Sequence, residues 1–211
     1  MLLVPVIGWN LGIPSVDFIA FTASSSNLTT YTFSSQGIGT PGNNRWIGVL
    51  ISGRATGGQT ISSVTVDGES ISQVVTQWSL GDRVALWAGP VTTGNSTGDI
   101  VVTWSSTISS SNIGTFEMHN ITGTTGTDTV TTDATDMTAS VVDGGVAIAG
   151  AIMDGSSCDW SAGDGTNHGI QYDGEKARLS ACSEQYAASG TATFNANASS
   201  GFLAAALATF Y

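Results

Sequence analysis

The sequence predicts an all-β protein: an antiparallel β-sandwich, jelly-roll-like, with an extended N-terminal arm. Three observations predict it. Serine, threonine and glycine take 27, 28 and 27 of the 211 positions, the makeup of many short strands joined by small polar turns. Charged residues are 10% of the chain against a usual value of about 25%. The 41% hydrophobic content is too high for disorder, and Leu, Glu, Lys and Arg are too scarce for a helical bundle. Finally, apolar runs of strand length recur with nothing helical between them, which excludes parallel βαβ units. The length suits one all-β domain or two small ones. It is enough to bury roughly 70% of the unfolded surface without a metal or disulfide framework.

Residues 1–22 read as the arm. They carry Leu2, Leu3, Val4, Val6, Ile7, Trp9, Leu11, Ile13 and Phe18 with no period of 2 or 3.6, and Pro5 and Pro14 favour extended backbone before them. A basic n-region is missing and Pro5, Gly8 and Pro14 break the apolar run, so the segment reads as mature sequence, not a signal peptide. An apolar extended arm does not stay in water. It lies on its own domain or on another subunit, and these nine side chains are the candidate subunit interface.

Residues 23–211 read as a single sandwich domain. Leu28–Phe33 alternates, with Leu28, Tyr31 and Phe33 facing inward. Trp46–Ser52 is a continuous apolar run of central-strand type. Ile61–Val66 and Ser70–Val75 flank Asp67-Gly68, the strongest short hairpin signal because both turn residues need positive φ. Arg83–Ala88, Asp99–Trp104 and Asn112–His119 follow, the last with a bulge expected at Gly114. Thr122–Ser140 interrupts the pattern, as a long loop with one weak strand or as the passage between sheets. Gly145–Met153 is a buried strand of small residues. Cys158–Trp160, His168–Tyr172 and Arg178–Tyr186 suggest a three-strand meander, and Thr191–Phe194 and Phe202–Phe210 end the chain. That makes about a dozen strands, with no evident internal repeat.

The net charge of −11, with Lys176 the sole lysine, excludes a nucleic-acid backbone binder, which needs clustered Lys and Arg to displace counterions. It also argues against an anionic membrane surface, and the longest apolar stretch, Phe202–Phe210, is about half a membrane span. Catalysis has few materials. The histidines are His119, at a strand end, and His168, in a polar loop, and no Gly-x-Ser-x-Gly elbow is present. Glu117 and Glu184 are the strand glutamates that a paired-carboxylate hydrolase would need. Asp154, Asp159, Asp164, Asn167 and Asp173 could supply oxygen ligands for calcium, but no EF-hand spacing is present and turn aspartates explain them. No metal, cofactor or catalytic residue is therefore expected. Cys158 and Cys182 are a possible disulfide or two buried thiols. Of the six tryptophans, Trp78 and Trp160 are the candidates for exposed glycan contacts. One lysine and four prolines leave sheet edges without the usual protection, which favours neighbours that cover them.

Two stretches resemble a β-sandwich protein type of tailed-phage and prophage structural gene clusters. The first runs from about Thr30 to Gly123, through TTYTFSSQGIGT, RWIGVLISGRA, TISSVTVDGESISQVV, VALWAGPVTTG, GDIVVTW and IGTFEMHNITG. The second runs through GGVAIAGAIM, CDWSAG and RLSACSEQYAASGTATF. The arm lies outside the resemblance. What it implies is a non-enzymatic virion component: a capsid decoration (cement) protein that stabilises the shell through subunit contacts, or a tail or spike module. The implied partners are the major capsid protein or other virion proteins and further copies of the chain, a trimer first. The implied location is the virion, assembled in the bacterial host cytoplasm. The alternative is a carbohydrate-binding or receptor-binding module of a tail fibre or head spike.

Overall fold

A computed structural model describes residues 12–42, 44–54, 57–131, 135–153, 158–162, 165–172, 178–198 and 203–211. Every regular element among them is a strand. The first eight are β1 (Ser15–Ser24), β2 (Leu28–Gly37), β3 (Arg45–Arg54), β4 (Ile61–Val66), β5 (Glu69–Ser79), β6 (Asp82–Pro90), β7 (Thr97–Ile108) and β8 (Ser110–His119). The second eight are β9 (Thr124–Val130), β10 (Thr135–Val141), β11 (Val146–Met153), β12 (Cys158–Ala162), β13 (Thr166–Tyr172), β14 (Arg178–Gln185), β15 (Gly190–Ala198) and β16 (Leu203–Phe210).

The first eight form one antiparallel sheet in the order β1-β8-β3-β6-β5-β4-β7-β2. Here β1 pairs with β8, β2 with β7, β3 with β6 and β4 with β5. That pairing is an antiparallel ribbon folded over on itself, the jelly roll. Its end strands β1 and β2 approach each other, so the sheet nearly closes. The second eight run β13-β14-β11-β16-β9 in one sheet and β10-β15-β12 in another. Adding eight to each number of the first order reproduces this arrangement, with a break between β13 and β12. The molecule is thus two jelly rolls in tandem, joined through residues 120–123. Reading residues 23–211 as one sandwich without a repeat has no place for this symmetry.

Three apolar layers result. Ile47, Val49, Ile51, Val102 and Trp104 belong to the core of the first jelly roll. Met137, Ala149, Phe194 and Leu207 belong to that of the second. Between them lies a shared core, to which Leu50, Leu86, Phe116 and Met118 come from the first roll and Ile148, Ile152, Leu179 and Phe210 from the second. Strands β3, β6, β8, β11 and β16 are covered on both faces, which is why their sequences are continuous apolar runs and not alternating ones. β1 packs on β13 and β14, and β9 packs on β5. The two rolls are therefore related by an approximate two-fold axis along the strands. Leu50 meets Gly150 while Gly48 meets Ile148, so β3 and β11 run the same way.

Several expectations need correction. The strands number sixteen among the described residues, because Thr122–Ser140 holds β9 and most of β10 and the expected arm holds most of β1. The meander does not form: β12 pairs with β15, while β13 pairs with β14. The bulge expected at Gly114 lies on β1, between Phe18 and Ala20, and β8 pairs with β3 in unbroken register. β8 fails to alternate because Ile113 faces the first core and Phe116 and Met118 face the shared one. Residues 15–22 of the expected arm form most of β1, in the chain's own sheet.

Candidate functional site

A cleft of about 790 Å³ opens where the chain enters β1. Ile13 and Pro14, the Val142–Gly144 turn before β11, Tyr186 after β14 and the terminal Tyr211 wall it. Two amides hold its rim. Asn120 Nδ2 donates to Ile13 O at 3.2 Å, and Gln185 Nε2 donates to Pro14 O at 2.8 Å. Asn120 adopts a φ of 58°, which asparagine tolerates better than most residues. Thr122 N and Oγ1 both donate to Tyr211 O, at 2.6 and 3.1 Å. Ile13, Val142 and Tyr211 nevertheless expose large apolar surface here; Ile13 is 69% exposed. The cleft is chemically an apolar socket with a polar rim.

At the same end of the first roll, a buried arginine organises the loop after β6. Arg45 Nε donates to Val91 O, its Nη1 to Ile38 O and Asn95 O, and its Nη2 to Thr93 O. Glu69 Oε1 accepts from Thr92 N, Thr92 Oγ1 and Thr93 N. Asn95 Nδ2 donates to Asp67 Oδ2 at 2.8 Å, and this bond, with a second from Thr93, holds the Asp67 carboxyl below its ordinary range. All these bonds lie within the chain, so the arrangement is a rigid loop.

The histidines sit in separate places. His119 Nε2 lies 2.7 Å from Glu117 Oε1, which also accepts from Thr40 N at 2.6 Å. His168 Nε2 lies 2.7 Å from Ser183 Oγ, in a groove of about 370 Å³ that Asp17 and Glu184 also line. Its ring stacks on Phe18 (centroids 4.5 Å apart) and meets Phe116 edge-on at 5.8 Å. Burial holds this imidazole below its ordinary pKa. A neutral histidine next to a serine is a proton acceptor, but here its face seals the seam between the two rolls.

Strand alternation separates Glu117 and Glu184. Glu117 lies on the first-roll side of the double layer, between the shared-core residues Phe116 and Met118. Glu184 lies on the second-roll side, the side of Cys182. They do not form a carboxylate pair. Among the described residues no group of three or more His, Cys, Asp and Glu side chains comes together as a metal site. Of the calcium candidates, Asp154, Asp164 and Asp173 and the side chain of Asp159 lie outside the described residues, and Asn167 Oδ1 accepts from Gly169 N.

The candidate interface divides in the same way. Leu2, Leu3, Val4, Val6, Ile7, Trp9 and Leu11 lie outside the described residues. Ile13 borders the cleft. Phe18 belongs to the chain's own shared core, against Phe21, Phe116 and His168, because the β1–β8 pairing turns it toward the second roll. Cys182 is buried in β14, and the Cys158 side chain lies outside the described residues. Trp160 is not an open stacking surface. Its Nε1 donates to Ser180 Oγ at 2.8 Å and its ring sits edge-on to Phe194. Trp78 is 45% exposed. Sequence reasoning missed Arg45, Val142, Tyr211 and Leu80; for Leu80 a signal existed, an exposed-turn Leu-Gly where Asn-Gly would be usual.

The architecture and cleft define an acidic tandem jelly-roll protein with an apolar socket beside its N-terminal entry. Comparison of the chain with protein-family models, curated proteins and solved structures gives no match.

Proposed function

We propose that this chain is a non-enzymatic structural subunit that works by binding other protein copies: a component of a tailed-phage virion, and first a decoration (cement) protein on the head shell. One observation carries the assembly reading. Ile13, Val142 and Tyr211 expose apolar surface at one cleft, and Gly12, which follows the apolar residues 1–11 in sequence, lines the same cleft. Contiguous exposed apolar surface of this kind is characteristic of protein–protein contacts. The phage assignment rests on the resemblance of the two stretches named above. The net charge of −11 suits a particle surface that stays in solution. Binding of this kind stabilises a shell by mass action, because it favours the assembled state.

Sedimentation velocity of the full chain and of a chain lacking residues 1–11, followed by binding to empty phage heads, tests the reading. Concentration-dependent assembly and head binding that weaken without the segment support it. A monodisperse monomer that ignores heads in both forms refutes it. The alternative, a glycan-binding module, has one observation in its favour, the exposed indole of Trp78. A glycan-array signal that disappears in Trp78→Ala would favour that alternative.

A further inference from the structure

The described residues include six exposed large apolar side chains: Ile13, Leu28, Trp78, Leu80, Val142 and Tyr211. Three line the cleft. Two more, Trp78 and Leu80, sit at the β5–β6 hairpin tip, where Leu80 is 85% exposed. Ser79 pairs with Asp82, so Leu80-Gly81 is a two-residue turn, with φ of 43° and 99°. Positive φ at both positions is the type I′ geometry, which asparagine or aspartate followed by glycine satisfies. A leucine there strains its backbone and keeps its side chain in water. Neither local preference explains this residue, whereas a contact outside the molecule does.

We propose that this tip is a knob that seats in the apolar cleft of a second copy, so that subunits join head to tail. The inference rests on the assembly reading above and names its contact. The tip lies where β3 ends and β6 begins, at the Arg54–Asp82 pair. The cleft lies at the opposite ends of the strands, where β11 begins and β14 ends. Because β3 and β11 run the same way, tip and cleft are separated by about one strand length, roughly 30 Å. A subunit therefore cannot fill its own cleft with its own tip, but can fill its neighbour's. A cleft of about 790 Å³ has room for an indole and an isobutyl group, and its apolar wall matches both. A contact between two different patches is heterologous: it closes into a ring if the rotation allows and otherwise continues as a stack. With −11 charges per copy, repulsion opposes it, so salt strengthens it.

Sedimentation velocity of the full chain and two full-length variants provides the test. Wild type assembles beyond a dimer as concentration rises. Leu80→Asn weakens this about tenfold or more while its thermal unfolding temperature is unchanged or higher, since asparagine relieves the turn. Val142→Asp does the same at the socket. Mixed in equal amounts, the two variants form a dimer that grows no further, from the intact knob of one and the intact socket of the other. If wild type assembles and Leu80→Asn assembles equally well, the knob is wrong while the assembly reading stands. If Leu80→Asn is defective but Val142→Asp is not, or the mixture does not pair, the socket is wrong and the cleft has another occupant, such as residues 1–11. A wild type that remains monomeric overturns this inference, and the assembly reading falls with it only if the chain also ignores empty heads.

Discussion

Leu50 sits directly over Gly150 in the layer that joins the two jelly rolls. A Cβ on Gly150 would overlap Leu50 Cδ2. Two residues away on each strand the sizes are exchanged: Ile148 projects from β11 toward Gly48 on β3, where a Cβ would lie 3.3 Å from Ile148 Cδ1. Along β3 the order is small then large, and along β11 it is large then small. Strands in equivalent places of the two rolls thus carry complementary side chains. This pairing lets two central strands pack face to face, and two identical copies of either roll would not reproduce it.

Removing that complementarity destabilises the whole molecule. Leu50→Ala is expected to lose about 3 kcal/mol by leaving a cavity, and Gly150→Ala about 1–3 kcal/mol by overpacking. The double variant loses less than the sum, with a coupling of about 1 kcal/mol or more. Urea unfolding of the four proteins measures this, and simple additivity would contradict the contact.

Arg45 determines the shape of the loop from Val91 to Asn95. Arg45→Ala leaves four backbone carbonyls without their donor and is expected to lose about 3 kcal/mol or more. Arg45→Lys keeps the charge but not the planar fork, and falls between. Amide exchange should show faster opening of residues 91–96 in both variants. Unchanged protection there would mean that Glu69 alone holds the loop.

His168 makes stability depend on pH. Burial depresses its folded pKa below the ordinary 6.5, so the unfolded chain takes up this proton first as pH falls. Its contribution is therefore complete above about pH 6.5 and is lost as pH drops from there through the lowered folded value. Asp17 and Glu184 line the same groove. The difference in unfolding free energy between wild type and His168→Gln, followed from about pH 8 to pH 5, isolates the effect. A difference that does not change with pH would show that the ring titrates normally.

Phe18 distinguishes core from interface. Half-buried against Phe21, Phe116 and His168, it should lose about 2 kcal/mol of stability as Phe18→Ala, with self-association unaltered. A variant of normal stability and weakened association would return Phe18 to the subunit contact.

The strands themselves were legible in the residues. Asp67-Gly68 marked the β4–β5 hairpin, Tyr31 and Phe33 marked the inner face of β2, and the unbroken run Trp46–Ser52 marked a strand covered on both sides. These are local properties, set by turn dihedrals and by burial of neighbouring side chains. Thr122–Ser140 misled for the same reason. β9 is threonine-rich and buries only Val130, and the buried Met137, Ala139 and Val141 of β10 are a short alternation among polar residues, so pairing with β16 and β15 carries more of the information than their own pattern.

Composition and order of residues alone determined the class of fold, the positions of most strands and the acidic, arginine-poor surface. Only tertiary structure decided that the sixteen described strands form the same roll twice, that Phe18 and His168 seal one seam, and that Ile13, Val142 and Tyr211 converge on one cleft. Strand alternation says that a side chain is hidden but not by what. The partner across a sheet face is fixed by contacts between residues about a hundred positions apart, such as Leu50 and Gly150, and no short window of sequence contains both.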